Sequence, residues 1–526
     1  MKVAYSNQPA LLPFGFNDSA KERETLPELY FHATNFNARA RDPTVSIIIG
    51  RRGAGKTALA QYLKFNDEDP YALYVDIDEP HVFSRVLESL VSGAAGPERL
   101  NVVDDVAKVW ELALWTALIS QLLQKEEQVS SDDRHALRSY LRSINVDVDK
   151  TSVVRSVLAG LVGMFHEKAG ALIDLVFRVH QQLSCVEFLQ AQSAVCRYLD
   201  RGPRAVIVID TLEQYEIRRR EMQHALGAML QAVTQFALGG MHRNLHIKCL
   251  LPAEIVPYLL ESAVQNPGKT FELPLHLRWR PKDLLRLACW RYYFYLSHLY
   301  PKDAEAVGHI DWENADEVRK HVWDRFFPPT ITNRNGLVED SFQYIVRHTQ
   351  LQPRQVIWIC NGIAESAKSS GTFPYFKSAD VVRGVHSRED SIANEVLNSY
   401  RTVYPGSKHI LSCFRSEPNL IGRASRLDKL LPRSKSAWPE EMPYDRALFW
   451  QMVAELGFMG SVTEQTDRYY ETEFEYAMAD RLVLNFDDVC AIHPVFYKLF
   501  SIKADKQKIV YPVGPNITSS ATFPPR

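Results

Sequence analysis

Val45-Ser46-Ile47-Ile48-Ile49-Gly50-Arg51-Arg52-Gly53-Ala54-Gly55-Lys56-Thr57-Ala58-Leu59-Ala60 decides the fold of this chain. It reads as a buried β-strand, a glycine-rich turn and the first turns of a helix. The spacing Gly50-x-x-x-x-Gly55-Lys56-Thr57 fits the P-loop pattern in full. Glycines permit backbone conformations that a Cβ would block and let the chain approach an anion closely. Successive N–H groups from Gly50 to Ala58, with the N-terminus of the following helix, would then cradle phosphates. Lys56 would reach the β- and γ-phosphates. The Thr57 hydroxyl would offer Mg²⁺ the hard oxygen ligand it prefers. The competing reading is a glycine-rich strand–helix turn with an accidental Lys-Thr.

Length and composition bound the rest. The chain has 526 residues, too many for one core, so roughly two to four domains are expected. Hydrophobic residues make up 46% and charged residues 24%, with a net charge of −2. Such a balance exerts no overall pull toward nucleic acid or membrane, and any basic surface must be local. Seven cysteines stand singly, with no pair at zinc-ligand spacing, which fits structural thiols in a reducing, cytoplasmic setting. Met1 to Pro9 lacks the apolar core of a signal peptide. The apolar stretch Val153 to Phe177 is interrupted by Arg155, His166, Glu167, Lys168 and Asp174. It reads as a buried or amphipathic helix pair rather than a membrane span.

Along the chain, residues 1–43 form a lead-in, with an apolar turn at Pro13-Phe14-Gly15-Phe16 and a charged helix from Asp18. Tyr71 to Asp78 is a second strand ending in acids, which completes a strand–helix–strand unit with a parallel sheet. Asp76 and Asp78 fall at the strand end where ligands bind in such sheets, although solvated acids are the more usual reading. Residues 84–200 are helical in pattern, too long for a single crossover and therefore a helical insertion. Arg204 to Asp210 is an apolar run closed by an acid, suited to a central strand covered on both faces. Asp210 would hold Mg²⁺ there. Glu213 lies three residues further on and would orient or deprotonate an attacking water. A solvated loop acid is an equal alternative. Leu245 to Leu251 is a further strand, ending at Pro252-Ala253-Glu254.

From Phe271 the pattern turns helical, with a helix expected from Leu277 and aromatic residues Trp290 and Tyr292 to Tyr295 in its core face. Residues 341–366 read as a helical pair. Pro353 suits a first helical position. Arg354 beside it opposes the helix dipole, which leaves a phosphate contact or a carboxylate partner as its reason. Residues 401–435 carry Arg401, Lys408, Arg415, Arg423, Arg426, Lys429, Arg433 and Lys435 against Glu417 and Asp428. This run is a DNA or anionic-partner patch or, more commonly, a solvated surface. Ala447 to Gly457 is a helix with a glycine stop. Strands are expected at 469–476, 482–486 and 489–494. The tail 511–526 is rich in Pro, Ser and Thr and reads as disordered.

Together these residues resemble a bacterial P-loop ATPase of the STAND/AAA+ kind, similar to origin-recognition-type and KAP-type ATPases. The carriers are Phe14-Gly15, Gly50 to Thr57, Ile209-Asp210-Thr211-Leu212-Glu213, Pro353-Arg354 and Ile492-His493-Pro494-Val495-Phe496. The resemblance implies an α/β P-loop NTPase with a helical insertion. It divides the chain into an ATPase core over 1–270, a helical lid over 271–375 and a winged-helix-like α+β domain over 376–510. It implies ATP bound by Gly50, Arg51, Arg52, Gly53, Ala54, Gly55, Lys56, Thr57 and Ala58, Mg²⁺ on Thr57 and Asp210, and catalysis by Lys56, Asp210, Glu213 and Arg354. An arginine of a neighbouring subunit would complete the site, with Arg278, Arg280, Arg286 and Arg291 as candidates. The function it implies is a slow or partner-stimulated ATPase switch, self-associating or bound to a protein partner, in antiphage defence. The alternative is an ATP-regulated DNA-binding protein. No Asn-Lys-x-Asp stretch favours guanine. The sequence departs from the resemblance at Asp210-Thr211-Leu212-Glu213-Gln214, which lacks adjacent acids, and at Pro252-Ala253-Glu254, where a polar or basic phosphate sensor is usual.

Overall fold

The alternation of apolar runs and helical periods builds a five-stranded parallel sheet in this computed structural model of the chain. The structure describes residues 11–17, 19–22, 24–32, 34–65, 70–77, 102–144, 172–210, 220–238, 242–262, 274–422, 428–440, 442–478, 482–485 and 487–513. Packing divides the chain into two units. One comprises 35–52 and 56–277, the other 1–34, 53–55 and 278–526.

The first unit holds β1 (Ile47–Gly50), β2 (Leu73–Ile77), β3 (Ala205–Ile209), β4 (Leu245–Pro252) and β5 (Leu275–His276), in the order β2-β3-β4-β1-β5. Burial follows this order. All residues of β1, β3 and β4 are buried, whereas β2 alternates at the sheet edge. Strands covered on both faces read as continuous apolar runs, and an edge strand does not. β5 is a two-residue edge strand anchored by the Leu277 N–H on the Ile49 carbonyl at 2.8 Å. It is too short to show a pattern and was not expected. The helix expected at Leu277 accordingly begins later, as Pro281–Leu299.

The chain leaves β2 and returns to its immediate neighbour β3, with Leu73 opposite Ala205 and Ile77 opposite Ile209. The expected helical insertion lies between them. Its described helices are Val102–Leu123, Ser131–Ser143, Leu172–Ser184 and Val186–Asp200. Trp110 and Trp115 are fully buried on the first of these. Among the described residues, Val106–Leu123 is the one helix stretch long and apolar enough to cross a membrane, and 83% of it is buried within the protein. Residues 153–171 of the apolar stretch, Asp78, Glu213, Arg423 and Arg426 lie outside the described residues.

Residues 1–34 of the lead-in group with the second unit, and residues 35–43 with the first. Phe14 stacks on Tyr292 at 4.9 Å between ring centroids, within a group that includes Phe327 and Phe376. Of the aromatic run expected in the core, Tyr292 and Tyr295 are buried, whereas Trp290, Tyr293 and Phe294 are only partly so. Glu22 and Arg291, both buried, form an ion pair through two hydrogen bonds of 2.9 and 3.0 Å. Gly15, at φ +75°, makes room for it: a Cβ there would lie 2.3 Å from the Glu22 carboxylate.

The same unit contains a two-stranded sheet of β6 (Thr330–Thr332) and β7 (Val338–Asp340). It also has a second five-stranded sheet: β8 (Leu420–Gly422), β9 (Met459–Gln465), β10 (Tyr469–Glu473), β11 (Val489–Ile492) and β12 (Ile509–Tyr511). Its order is β12-β10-β9-β11-β8. The helix Arg446–Glu455 precedes the β9–β10 hairpin and stops at Gly457, φ +58°. Two expectations fail here. Residues 482–485 alternate in burial but form no strand, because the Leu482 N–H is taken by the Glu475 carboxylate. Tyr511 is no tail residue: it is buried, pairs with Glu471, and its hydroxyl donates to Glu339, the buried partner of Arg347.

One lysine breaks the apolar rule of the central strands. Lys248 in β4 has no exposed surface, and its ammonium donates to the carbonyls of Asp42 and Val45, both at 2.6 Å. It thereby fixes the turn that leads into β1. Burial pushes its pKa down to about 7, because the charged form is the one penalised in a dry interior. Between about pH 7 and 10.5 the unfolded chain keeps a proton that the folded chain has released, so this residue makes stability rise with pH. Thermal melts of wild type and Lys248→Met should therefore differ in slope. Wild type should gain up to about 1.4 kcal/mol per pH unit relative to the variant over that window, and parallel curves would refute it.

Candidate functional site

The loop after β1 has the geometry that its glycines allow. Gly53 and Gly55 adopt φ of +90° and +94°, a region that residues with a Cβ avoid. The helix Lys56–Phe65 starts directly behind them. Its first amides therefore open at the loop, where a helix N-terminus favours anions. Nothing lies within 4 Å of where a Gly55 Cβ would stand. The space on that side of the loop is open, and backbone amides at a helix N-terminus beside Lys56 and Thr57 suit an anionic, phosphate-bearing group.

Lys56 is buried, and its ammonium donates to the carbonyls of Gly50 at 3.0 Å and Arg51 at 3.4 Å. The loop carbonyls on the other side are also held. The Trp279 indole N–H donates to the Ala54 carbonyl at 2.9 Å, and the Arg354 N–H approaches the Gly53 carbonyl at 3.5 Å. A side chain on Gly53 would sit 2.7 Å from the Gln352 amide oxygen.

Asp210 immediately follows β3 and is half-buried, its N–H donating to the Ile77 carbonyl at 3.3 Å. β4 lies between the strand that carries Asp210 and the strand that carries the loop. β4 ends at that loop. Gly50 is in register with Pro252, and the Ala253 N–H donates to the Gly50 carbonyl at 3.1 Å. Glu254, 5% exposed, accepts the Arg52 N–H on Oε1 at 2.9 Å. Sequence reasoning treated Glu254 only as a poor phosphate sensor. Its role is to hold the loop, and only its place two residues past an apolar strand could have signalled that.

Arg354 begins the helix Pro353–Ser369, with Pro353 in the first turn as expected. Of the two reasons considered for it, the carboxylate partner is the one seen: its guanidinium pairs with Glu395 at 3.2 Å and also donates to the Asn17 carbonyl at 3.0 Å. Asn361 on the same helix receives the Phe14 N–H and donates to the Gly15 carbonyl. Neither Glu395, Asn361 nor Trp279 was legible in advance, because each acts on a residue far away in sequence.

Of the arginines named as donors to a neighbouring site, two are committed internally. Arg291 is buried against Glu22, and Arg286 is buried against Asp283. Arg280 also pairs with Asp283, at 2.8 Å, while partly exposed. Lending Arg291 to another subunit would leave the buried Glu22 carboxylate alone, and Arg286, buried itself, is held by Asp283 and the Glu313 carbonyl. Arg291 and Arg286 are thus removed from that list.

A parallel sheet, a glycine-rich loop between its first strand and helix, and an acid closing β3 define an α/β P-loop NTPase fold, followed in the chain by helical and α+β segments. Among solved structures the chain is similar to the ORC2 protein of Aeropyrum pernix in its ADPNP–ADP complexes. The identity is 12% and the TM-score 0.32, over 88% of this chain and 90% of that one. It is also similar to Cdc6p from Pyrobaculum aerophilum, at 12% identity and a TM-score of 0.27, over 95% and 97% of the two chains. No protein-family model and no curated protein matches.

The two left-handed glycines should respond differently to alanine. Gly55→Ala meets only backbone strain, of about 1–2 kcal/mol. Gly53→Ala adds a clash with Gln352 and should melt at a lower temperature than Gly55→Ala. Equal melting temperatures would show that Gln352 yields freely.

Proposed function

We propose that this chain is an ATP-binding, Mg²⁺-dependent P-loop ATPase that acts as a nucleotide-controlled switch. The observation that carries the reading is the loop itself: two glycines at positive φ, then a helix opening on Lys56 and Thr57. In it, amides from Gly50 to Ala58 bind the phosphates. Lys56 leaves its resting place on the Gly50 and Arg51 carbonyls to neutralise the outer phosphates. Thr57 and Asp210 hold Mg²⁺, which when bound spreads and neutralises charge on the phosphates. Arg354, opening the helix Pro353–Ser369, contacts phosphate by exchanging its Glu395 partner. Glu213 orients the attacking water. Hydrolysis then alters which of these contacts persist, and the loss of a terminal phosphate is the switching event. The biological setting implied by the STAND resemblance is antiphage defence with a protein partner or further copies of the chain.

The DNA-binding alternative is the weaker one. The β9–β10 hairpin, which would serve as the wing, carries Glu464, Asp467, Glu471 and Glu473 against Arg468. Partial burial, reinforced by Glu464 and Glu473, pushes the Glu471 carboxyl up. Negative charge there opposes a phosphate backbone. In the basic stretch, Arg433 pairs with Glu417 and Lys408 with the Asn394 amide.

Lys56→Ala is the direct test. Loss of a charge-assisted contact worth about 1.5–3 kcal/mol should weaken ATP binding by roughly 10- to 100-fold. Titration calorimetry on the purified full chain reads this, alongside phosphate release. Wild-type protein that binds no nucleotide would overturn the reading.

A further inference from the structure

We infer that Glu254 sets how many phosphates this site prefers, by discriminating against a triphosphate in favour of a diphosphate in the absence of Mg²⁺. The inference rests on the nucleotide-binding reading above and deepens it. It begins from the position of the residue. β4 runs between β1 and β3, and its end is bonded to the root of the loop through Ala253 and Gly50. Glu254 follows at once, buried, with Oε1 on the Arg52 N–H. Its other oxygen, Oε2, is buried and has no hydrogen-bond partner among the described residues.

A carboxylate in that condition is more than a loop fastener needs. A neutral amide would accept the Arg52 N–H equally well, without placing an unpaired anionic oxygen in the interior. Buried polar atoms are nearly always paired, so the exception calls for a reason. Lys56 supplies the direction of that reason. Its ammonium, the group that reaches the β- and γ-phosphates, ends on the Gly50 and Arg51 carbonyls. The Glu254 carboxylate ends on the next residue, Arg52. The cation and the anion thus hold adjacent residues of the loop, 50–51 and 52.

A phosphate oxygen and a carboxylate oxygen are both acceptors and both anionic. They compete for the same amide, and they repel each other strongly where water is excluded. The outermost phosphate carries the most charge to this end of the loop. A triphosphate must therefore displace Glu254 from Arg52, have its own charge neutralised, or bind weakly. A shorter diphosphate leaves the Glu254–Arg52 contact in place.

The test is calorimetric binding of ADP and ATP to the full-length protein in EDTA and again with Mg²⁺. For wild type in EDTA, ADP should bind at least about tenfold more tightly than ATP, equivalent to about 1.4 kcal/mol. Glu254→Gln keeps an acceptor for the Arg52 N–H and removes the charge. It should raise ATP affinity about tenfold and move ADP affinity by less than about twofold. An unchanged ATP-to-ADP ratio, or an equal shift for both, would overturn the role of Glu254 while leaving nucleotide binding intact. Should the variant fail to fold, wild type alone decides: ATP binding in EDTA as tight as ADP overturns the inference. Binding of neither nucleotide by wild type would remove the nucleotide reading and this inference with it.

Discussion

β4 holds the chain on both sides of β1, and the geometry of the loop depends on that grip. At one end the Lys248 ammonium gathers the Asp42 and Val45 carbonyls, which fixes where the chain enters β1. At the other the Glu254 carboxylate takes the Arg52 amide, which fixes how the chain leaves it. Between them run the parallel pairs from Ile47–Cys249 to Gly50–Pro252. Both side chains are buried and titratable, and each satisfies main-chain groups that strand pairing leaves over. Burying charge is costly unless it is hydrogen-bonded. Placing one such group at each end of a four-residue strand concentrates that cost where position matters most.

A second device of the same kind holds the lead-in. Glu22 pairs with Arg291, and that pair occupies the space that Gly15 leaves by lacking a side chain. Phe14 is driven against Tyr292, and Asn361 closes both the Phe14 amide and the Gly15 carbonyl. Six residues from three separate stretches thus determine one turn. Removing one partner of a buried pair is far more damaging than the pair's net worth, because the survivor is left charged and dry. The turn at Phe14-Gly15 is thereby an integral part of its unit, and Arg291 is committed to Glu22.

The α/β core was legible because its signals are local. The P-loop spacing, the apolar runs of β3 and β4 and the acid at Asp210 each fit within ten residues. Central strands announce themselves by continuous burial. The missed features are those whose meaning lies in a distant partner. Glu254 reads as an ordinary acid after a strand until Arg52 is seen beside it. Lys248 reads as a polar slip in an apolar run until the two carbonyls appear. β5 is too short to have a period, and the Leu482 alternation looked like a strand because pattern cannot reveal that Glu475 has taken an amide. Arg354 was correctly seen as needing a reason beyond its helix, and Glu395 and the Asn17 carbonyl supply partners that no spacing rule would name.

The residues that hold the loop are also those that an entering anion must address, and this connects stability with ligand response. Lys56 rests on carbonyls that it must leave, and Glu254 holds an amide that a phosphate would claim. A ligand shifts an equilibrium only by its differential affinity for two states. Here the difference is built from charge: the resting loop is stabilised by a lysine on residues 50 and 51 and a carboxylate on residue 52, and a polyphosphate attracts the first and repels the second. In the proposed triphosphate-bound state the lysine moves toward the added charge and the carboxylate away from it, so both contacts made by residues 50–52 change together. Glu254 continues from β4, whose first five residues pair with the whole of β3, so the side chain that holds the Arg52 amide and the strand that ends in Asp210 belong to one hydrogen-bonded ladder.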